Sequence, residues 1–212
     1  NEDHRKKMKN HLSALRCAVL LAMPLIAFPA LSAQQDTHPV DVRAFDVGGV
    51  KTGMSIEEAR TAMAKNFGAS SSAITESKSL PSQVTTLITG TEQIMFLVYD
   101  NNGTRMQVSF EPRVPYDKNN PMAVSQISYE LPWSKDNEKA MNDAALKKYG
   151  PVSQNNMNPL WCDKPLPGTG MGCASDSATL EVSGTKLRMY DPAWTNARIK
   201  FMEEKNATKP QF

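Results

Sequence analysis

Histidine is scarce in this sequence and is confined to its beginning. The chain of 212 residues has three histidines, His4, His11 and His38, and none follows Val40. A Ser-His-Asp triad, a Cys-His dyad and a histidine-rich metal site all need an imidazole, so the body of the chain cannot build them. Catalysis by carboxylates or by a Ser-Lys pair stays open, but no pattern singles either out. We therefore predict no catalytic residue, no metal and no cofactor.

The longest apolar run is too short for a transmembrane helix. Fifteen residues from Cys17 to Leu31 carry no charge and include two prolines, whereas a spanning helix needs roughly 20 apolar residues. A basic segment precedes this run and small residues follow it, which is the order of a secretory signal. We predict a signal peptide over residues 1–33, with cleavage after Ser32 or after Ala33.

The same segment leaves an uncleaved N-terminal anchor as the alternative. The length of the run and the helix-disfavouring Pro24 and Pro29 argue for processing instead. Cys17 precedes the apolar run, and no small residue followed by cysteine ends it, so we expect no lipid anchor. The mature protein is expected in the periplasm or secreted, without a stable membrane anchor.

Positive charge is also scarce once the predicted signal is removed. Lysine and arginine fall from 24 to 19 and acidic residues from 22 to 20, so the formal charge changes from +2 to about −1. Nucleic acid binding calls for lysine and arginine clustered on one face. We therefore expect no nucleic acid partner.

Only two of the three cysteines remain in the predicted mature chain. Cys162 and Cys173 lie eleven positions apart and bracket a loop rich in glycine and proline. In an exported chain such a pair is expected to form a disulfide, and two buried thiols are the alternative.

The first predicted helix has recognisable start and stop signals. Ser55 and Glu58 have the spacing of a capping box, and Gly68 is suited to end the helix. The apolar residues between them fall on one face at helical spacing, namely Ile56, Ala59, Ala62, Met63 and Phe67. Residues 34–44 are interpreted as a polar leader that precedes this region.

Three strands are predicted after this helix, beyond a stretch (68–82) that we interpret as disordered. Residues 92–100 are apolar on both faces, which is typical of a central strand, and residues 104–112 alternate strictly. Asn102-Gly103 between them predicts a type I′ hairpin turn. Residues 123–131 form the third strand.

The same plan then restarts. A second helix is predicted from Ser134 to a stop at Gly150, followed by strands within 158–162, 177–184 and 186–191. Residues 61–68 align with 143–150, which indicates a degenerate repeat, although chance similarity is a rival explanation. Residues 193–206 fit either a helix or a strand, and 205–212 are expected to be a flexible tail.

We predict an α+β fold with helices packed on an antiparallel sheet, built as two related helix-plus-sheet halves. The first half covers residues 45–132 and the second, which contains the cysteine pair, covers 133–204.

One stretch resembles a known family. Residues 49–63, "GVKTGMSIEEARTAM", resemble the opening of small exported domains with the β-lactamase-inhibitor-protein-like fold, a group that includes outer-membrane assembly lipoproteins. The second half, with "KYGP", "WC" and Cys173, is similar to tandem versions of that fold in periplasmic proteins. The resemblance implies a helical layer on a curved antiparallel sheet and a role in binding other proteins or the envelope. The chain departs from the lipoproteins by lacking their lipidated cysteine, and no inhibitory loop can be equated.

The three tryptophans lie at the edges of predicted elements. Most such tryptophans anchor a core, but an aromatic residue beside a disulfide-closed loop can also be a binding hot spot. If the chain has a contact surface, we expect it around the cysteine loop. The candidate binding surface consists of Trp161, Leu166, Pro167, Met171 and Trp133.

These observations favour a non-catalytic protein that binds an envelope component, either a protein or cell-wall material. A second hypothesis is an inhibitor of a lysozyme, protease or β-lactamase that inserts the cysteine loop or the Asn102-Gly103 turn into the enzyme cleft. A third is a hydrolase with two inward-facing carboxylates roughly 5–10 Å apart.

Overall fold

Seven strands and four α-helices make up the part of the chain that the computed structural model describes, which is residues 37–154, 158–167 and 172–207. The predicted signal peptide lies outside the described residues, and so does Met171. The helices are α1 (Ile56–Phe67), α2 (Val84–Thr89), α3 (Lys135–Tyr149) and α4 (Pro192–Asn206). The strands are β1 (Thr75–Lys78), β2 (Ile94–Asn101), β3 (Thr104–Pro112), β4 (Met122–Glu130), β5 (Leu160–Cys162), β6 (Thr179–Ser183) and β7 (Lys186–Tyr190).

All seven strands form one antiparallel sheet with the order β1-β2-β3-β4-β7-β6-β5. Each half contains a helix and three consecutive antiparallel strands, α1 with β2-β3-β4 and α3 with β5-β6-β7, and the first half adds β1 and α2 between its helix and these strands. The last strands of the two halves, β4 and β7, pair at the centre with Ile127 opposite Met189. The prediction of an α+β fold with two related helix-plus-sheet halves is confirmed.

The helices α1 and α3, which we call the two main helices, have caps of the same residue types, although Gly68 is left-handed (φ 58°, ψ 30°) and Gly150 is not (φ 77°, ψ −156°). Their N-caps, Ser55 and Ser134, are 79 positions apart (134 − 55), and their C-caps, Gly68 and Gly150, are 82 apart (150 − 68). The difference of three residues equals the difference in helix length, 15 against 12 residues. The helix α3 is therefore about one turn longer than α1.

The start of α1 follows the predicted capping box. The backbone N–H of Glu58 donates to Ser55 Oγ at 3.3 Å, and the backbone N–H of Ser55 donates to Glu58 Oε2 at 2.8 Å. Gly68 ends the helix with a left-handed φ of 58°. Ala59 and Met63 are fully buried against the sheet, as their spacing predicts.

The hairpin between β2 and β3 turns at Asn102-Gly103, where both residues have positive φ (51° and 79°). This is the backbone that a type I′ turn requires, so the prediction is confirmed. Alternate residues of β3 then face opposite ways. Met106, Val108 and Phe110 are buried on the side of α1, whose Phe67 stacks on Tyr99 of β2 with ring centroids 4.0 Å apart.

The stretch 68–82 is ordered, contrary to the interpretation from sequence. It contains a short 3-10 turn (Ser71–Ala73) and the edge strand β1, which pairs with β2. All four residues of β1 are exposed and polar, so the strand leaves no apolar signal in the sequence. Charged side chains such as Glu76 are typical of an exposed sheet edge.

The ambiguous segment near the end is the helix α4. Asp191 caps its N-terminus by accepting from the backbone N–H of Ala193 at 3.1 Å, and Pro192 occupies the first turn. The helix continues to Asn206, so the first two residues of the predicted tail are helical. Residues 208–212 of that tail lie outside the described part of the chain.

Helices cover the two sides of the sheet unequally. The helices α1 and α3 lie on the face that carries Met106 and Tyr129, whereas Arg198 of α4 reaches Glu111, on the opposite face. The segment interpreted as a polar leader also packs on the body. His38 N donates to Ser153 O at 3.1 Å, and Val40 N donates to Cys162 O at 2.9 Å.

Candidate functional site

The central strands leave one polar surface uncovered by α1 and α3. Side chains of β3, β4 and β7 line a shallow depression of about 210 Å³ there, which we call the sheet-face depression. Its lining consists of Arg105, Gln107, Gln126, Ser128, Glu130 and Lys186. The strand register explains the grouping, because Gln107 lies opposite Ser128 and Glu130 lies opposite both Arg105 and Lys186. Residues directly opposite each other point to the same face of a sheet.

Charges on this surface are balanced. Arg105 lies 3.2 Å from Asp100, and Lys186 lies 3.1 Å from Glu130. Arg105 also donates to Gln107 Oε1 at 3.2 Å. Exposed ion pairs of this kind contribute little to stability. The depression therefore presents hydrogen-bond donors and acceptors on rigid strands without a strong field of either sign.

Trp161 does not belong to any surface, so its place in the candidate binding surface was wrong. Its exposed fraction is 0%, and its indole N–H donates to Gly150 O at 3.1 Å. The ring packs edge-on against Tyr149 of α3 with centroids 5.7 Å apart. The residue anchors the core of the second half, which is the ordinary role of a buried tryptophan.

The other members of the predicted surface lie in two places. Leu166 and Pro167 are exposed in the cysteine loop, whereas Trp133 precedes α3 and is 79% exposed. Met171 lies outside the described residues. No described contact joins Trp133 to the loop, so the structure does not assemble them into one site.

The predicted disulfide is present between Cys162 and Cys173. Gln154 braces the loop that it closes, because its Nε2 donates to Leu166 O and its Oε1 accepts from Gly172 N at 2.9 Å. The described part of the loop is therefore fastened both covalently and by hydrogen bonds.

An ion-pair cluster that the sequence analysis missed fastens the beginning of the described chain. Arg43 donates to both carboxylate oxygens of Asp191 at 2.9 Å and to Asp163 at 2.7 Å. Ser177 also donates to Asp163. These residues come from four segments up to 148 positions apart, so no local pattern could indicate the cluster.

The cluster favours the ionised form of Asp163. Partial burial opposes ionisation of Asp163, but hydrogen bonds from Ser177 and Arg43 outweigh it and lower its pKa. The hydrogen bond to Asp191 likewise raises the pKa of Arg43 against the effect of burial. A carboxylate held in this way is a poor proton donor, so the cluster suits a structural role.

Acid should weaken the fold partly through Asp163. A carboxyl group with a folded-state pKa below its unfolded value stabilises the protein above the unfolded pKa and loses that effect as pH falls through the folded pKa. In urea unfolding from pH 7 to pH 2 or so, we expect the free energy of unfolding of the wild type to fall below about pH 4. Asp163→Asn should start lower at pH 7 and lose less on acidification.

The exposed carboxyl of Glu92 provides the matched control. Glu92→Gln should follow the wild-type pH curve. Parallel curves for wild type and Asp163→Asn would contradict the assignment.

An apolar opening lies between the two main helices, and we call it the interhelix groove. It has a volume of about 200 Å³, and its floor includes Tyr129 of β4 and Leu187 of β7. Its other lining residues are Val47, Gly48, Asn66, Met141, Ala144, Ala145, Lys148 and Tyr149. The groove therefore lies over the central seam of the sheet, where the two halves meet.

The rim of the interhelix groove is polar and ordered. Lys148 Nζ donates to Asp46 Oδ2 at 2.8 Å, and the hydroxyl of Tyr149 donates to Asp46 O at 2.8 Å. Partial burial opposes ionisation of Asp46, but the hydrogen bonds from Lys148 and from Gly49 N lower its pKa. Burial raises the pKa of Tyr149, so its hydroxyl stays protonated.

Within the described ranges, no three histidine, cysteine, aspartate or glutamate side chains are grouped so that they could hold a metal ion. No helix in those ranges has the length and apolar character needed to cross a membrane. Comparison with protein-family models, with curated proteins and with solved structures finds no match for this chain. The family resemblance of residues 49–63 therefore rests on the motif alone.

Proposed function

We propose that this chain is an exported, non-catalytic binding protein of the cell envelope that holds its partner at the sheet-face depression. The observation that carries the proposal is the polar surface of β3, β4 and β7, which α1 and α3 leave uncovered. The partner is an envelope protein or a cell-wall component, and the protein works in the periplasm or as a secreted protein.

Rigid strands favour binding at this surface. Hydrogen bonds between the strands fix the direction of each side chain on β3, β4 and β7. Few side chains of this surface would therefore lose conformational freedom when a partner binds. Gln126 and Ser128 offer an amide and a hydroxyl beside the row of ion pairs formed by Asp100, Arg105, Glu130 and Lys186. These groups complement a polar partner of low net charge.

The disulfide supports the export half of the proposal. Disulfides persist in oxidising compartments and are rare in the cytosol. The bond between Cys162 and Cys173 thus agrees with the secretory pattern in residues 1–33.

No described feature favours the hydrolase hypothesis. A general acid needs a raised carboxyl pKa, whereas the fold lowers the pKa of Asp46, Glu58, Asp163 and Asp176. The inhibitor hypothesis uses a neighbouring surface, because the Asn102-Gly103 turn is only two residues before Arg105 on β3. Assays with lysozymes, proteases and β-lactamases would identify that version of binding.

Site-specific photocrosslinking tests the proposal. A benzophenone side chain at Ser128, within the depression, should give a discrete crosslinked partner in envelope extract. The same group at Glu92, an exposed position before β2 that lines neither the depression nor α3, should not. The purified partner should then bind Ser128→Trp at least about tenfold more weakly than wild type, whereas Glu92→Trp should bind normally. Equal adducts at the two positions, or no adduct at position 128, would contradict the proposal.

A further inference from the structure

Trp133 is a large apolar side chain displayed on a rigid support. It is 79% exposed, although its neighbours in sequence are firmly held. Leu131 N donates to Thr185 O at 3.0 Å, and Asn137 Nδ2 donates to Pro132 O at 2.7 Å. An exposed aromatic residue on ordered backbone loses little conformational entropy on binding, and such residues are frequent binding anchors.

The interhelix groove has the size and chemistry to receive one aromatic ring. A cavity of about 150 Å³ lined by apolar side chains can hold benzene, and the groove measures about 200 Å³. Tyr129, Met141 and Leu187 would contact an inserted ring, and the ammonium of Lys148 at the rim could lie over its face.

We propose that two copies of this chain associate by inserting Trp133 of each copy into the interhelix groove of the other. The association goes beyond the proposed binding function and uses the opposite side of the sheet. The inserted ring and the receiving groove belong to the same helix, because Trp133 directly precedes the N-cap of α3 and residues within 141–149 of α3 line the groove. The two parts are thus roughly 12–24 Å apart along the helix axis.

That spacing suits a two-fold dimer. When two copies of α3 lie antiparallel, the beginning of each helix approaches the second half of the other, so both insertions occur at once. Such an interface uses the same patch on both subunits and closes on itself. The exposed Ala140 and Ala144 leave room for the two helices to approach.

Charge complementarity selects the second copy as the occupant. The first turn of α3 carries Asp136 and Glu138 beside Lys135, a net charge of −1, and its last turn carries Lys147 and Lys148, of which Lys148 also pairs with Asp46. An antiparallel pair brings the acidic turn of one helix toward the basic turn of the other and also opposes the helix dipoles. A parallel pair would place like charges together.

Sedimentation velocity of the purified protein, from about 1 μM to a few hundred μM, tests the dimer. Trp133→Ala removes the inserted ring, and Ala144→Leu fills the groove with a side chain that favours helix. We expect each change to raise the dimer dissociation constant by roughly 30-fold or more, as at a hot spot. An equimolar mixture of the two variants should recover dimers of intermediate affinity, because one intact ring-in-groove contact can form.

Leu146→Ala is the matched control, because Leu146 is 44% exposed on α3 and does not line the groove. It should dimerise like wild type. All three positions are exposed, so thermal melts at low concentration should show folded protein for every variant. A monomer at every concentration would overturn the proposal, as would an unaffected dimer in Ala144→Leu or no recovery in the mixture. A monomeric wild type that binds indole, with binding lost in Ala144→Leu, would assign the groove to a small ligand instead.

Discussion

In the Trp161→Ala variant, we expect the free energy of unfolding to fall by about 3–5 kcal/mol. Trp161 belongs to β5 and is fully buried against α3, so its removal leaves a large cavity beside Tyr149. The change also leaves Gly150 O without the indole donor that now lies 3.1 Å away. A loss of this size is a large part of the roughly 5–15 kcal/mol that stabilises an average domain.

Urea unfolding followed by circular dichroism measures this effect, and Trp133→Ala is the control for it. The same chemical change at the 79% exposed position should shift the free energy of unfolding by less than about 0.5 kcal/mol when the protein is dilute. Similar losses for the two variants would contradict the different roles that the structure gives these tryptophans.

The second large effect concerns the disulfide. The chain-entropy model predicts that a link between residues eleven positions apart contributes about 2.5–3 kcal/mol. We expect the wild type to lose about this much on reduction. The double variant Cys162→Ala, Cys173→Ala should be weakened by a similar amount, because it has the same freedom in the unfolded state.

A reducing agent distinguishes the stability due to the disulfide bond from the stability due to the other contacts of the loop. It should lower the unfolding midpoint of the wild type and leave that of the double variant unchanged. A wild type that is equally stable in the oxidised and reduced forms would show that hydrogen bonds such as Gln154 Nε2 to Leu166 O hold the loop without the covalent link.

The parts of the fold that the sequence predicted correctly are set by short-range chemistry. The capping box at Ser55 and the turn at Asn102-Gly103 each depend on residues within three positions of one another. The alternation in β3 likewise reports directly which side chains face the helices. Such features stabilise the same local backbone in most contexts, so they can be identified without tertiary information.

The parts that were missed depend on long-range contacts. Arg43 contacts Asp163 and Asp191 only because the folded chain brings together residues that are 120 and 148 positions apart in sequence. The interhelix groove needs Tyr129 and Leu187 side by side, which the pairing of β4 with β7 supplies. Neither arrangement has a sequence period that could indicate it.

Trp161 shows a third kind of limit. The strand β5 is only three residues long, so alternation cannot reveal which of its side chains points inward. Its position beside the cysteine loop suggested a contact surface, whereas pairing of β5 with β6 carries the indole into the core. Trp133 has an equally uninformative sequence context and lies in solvent.

Each end of the described chain forms an ion pair with the half of the sheet to which it does not belong. The segment before α1 leads into the first half but is fastened to the second, through Arg43 and Asp191. The helix α4 follows the second half but holds the first, through Arg198 and Glu111 at 2.7 Å. Each half thus has a terminal segment that is held by an ion pair to the other half. We therefore expect that neither half folds well without the other, and that a protein cut at Pro132 keeps its two fragments associated.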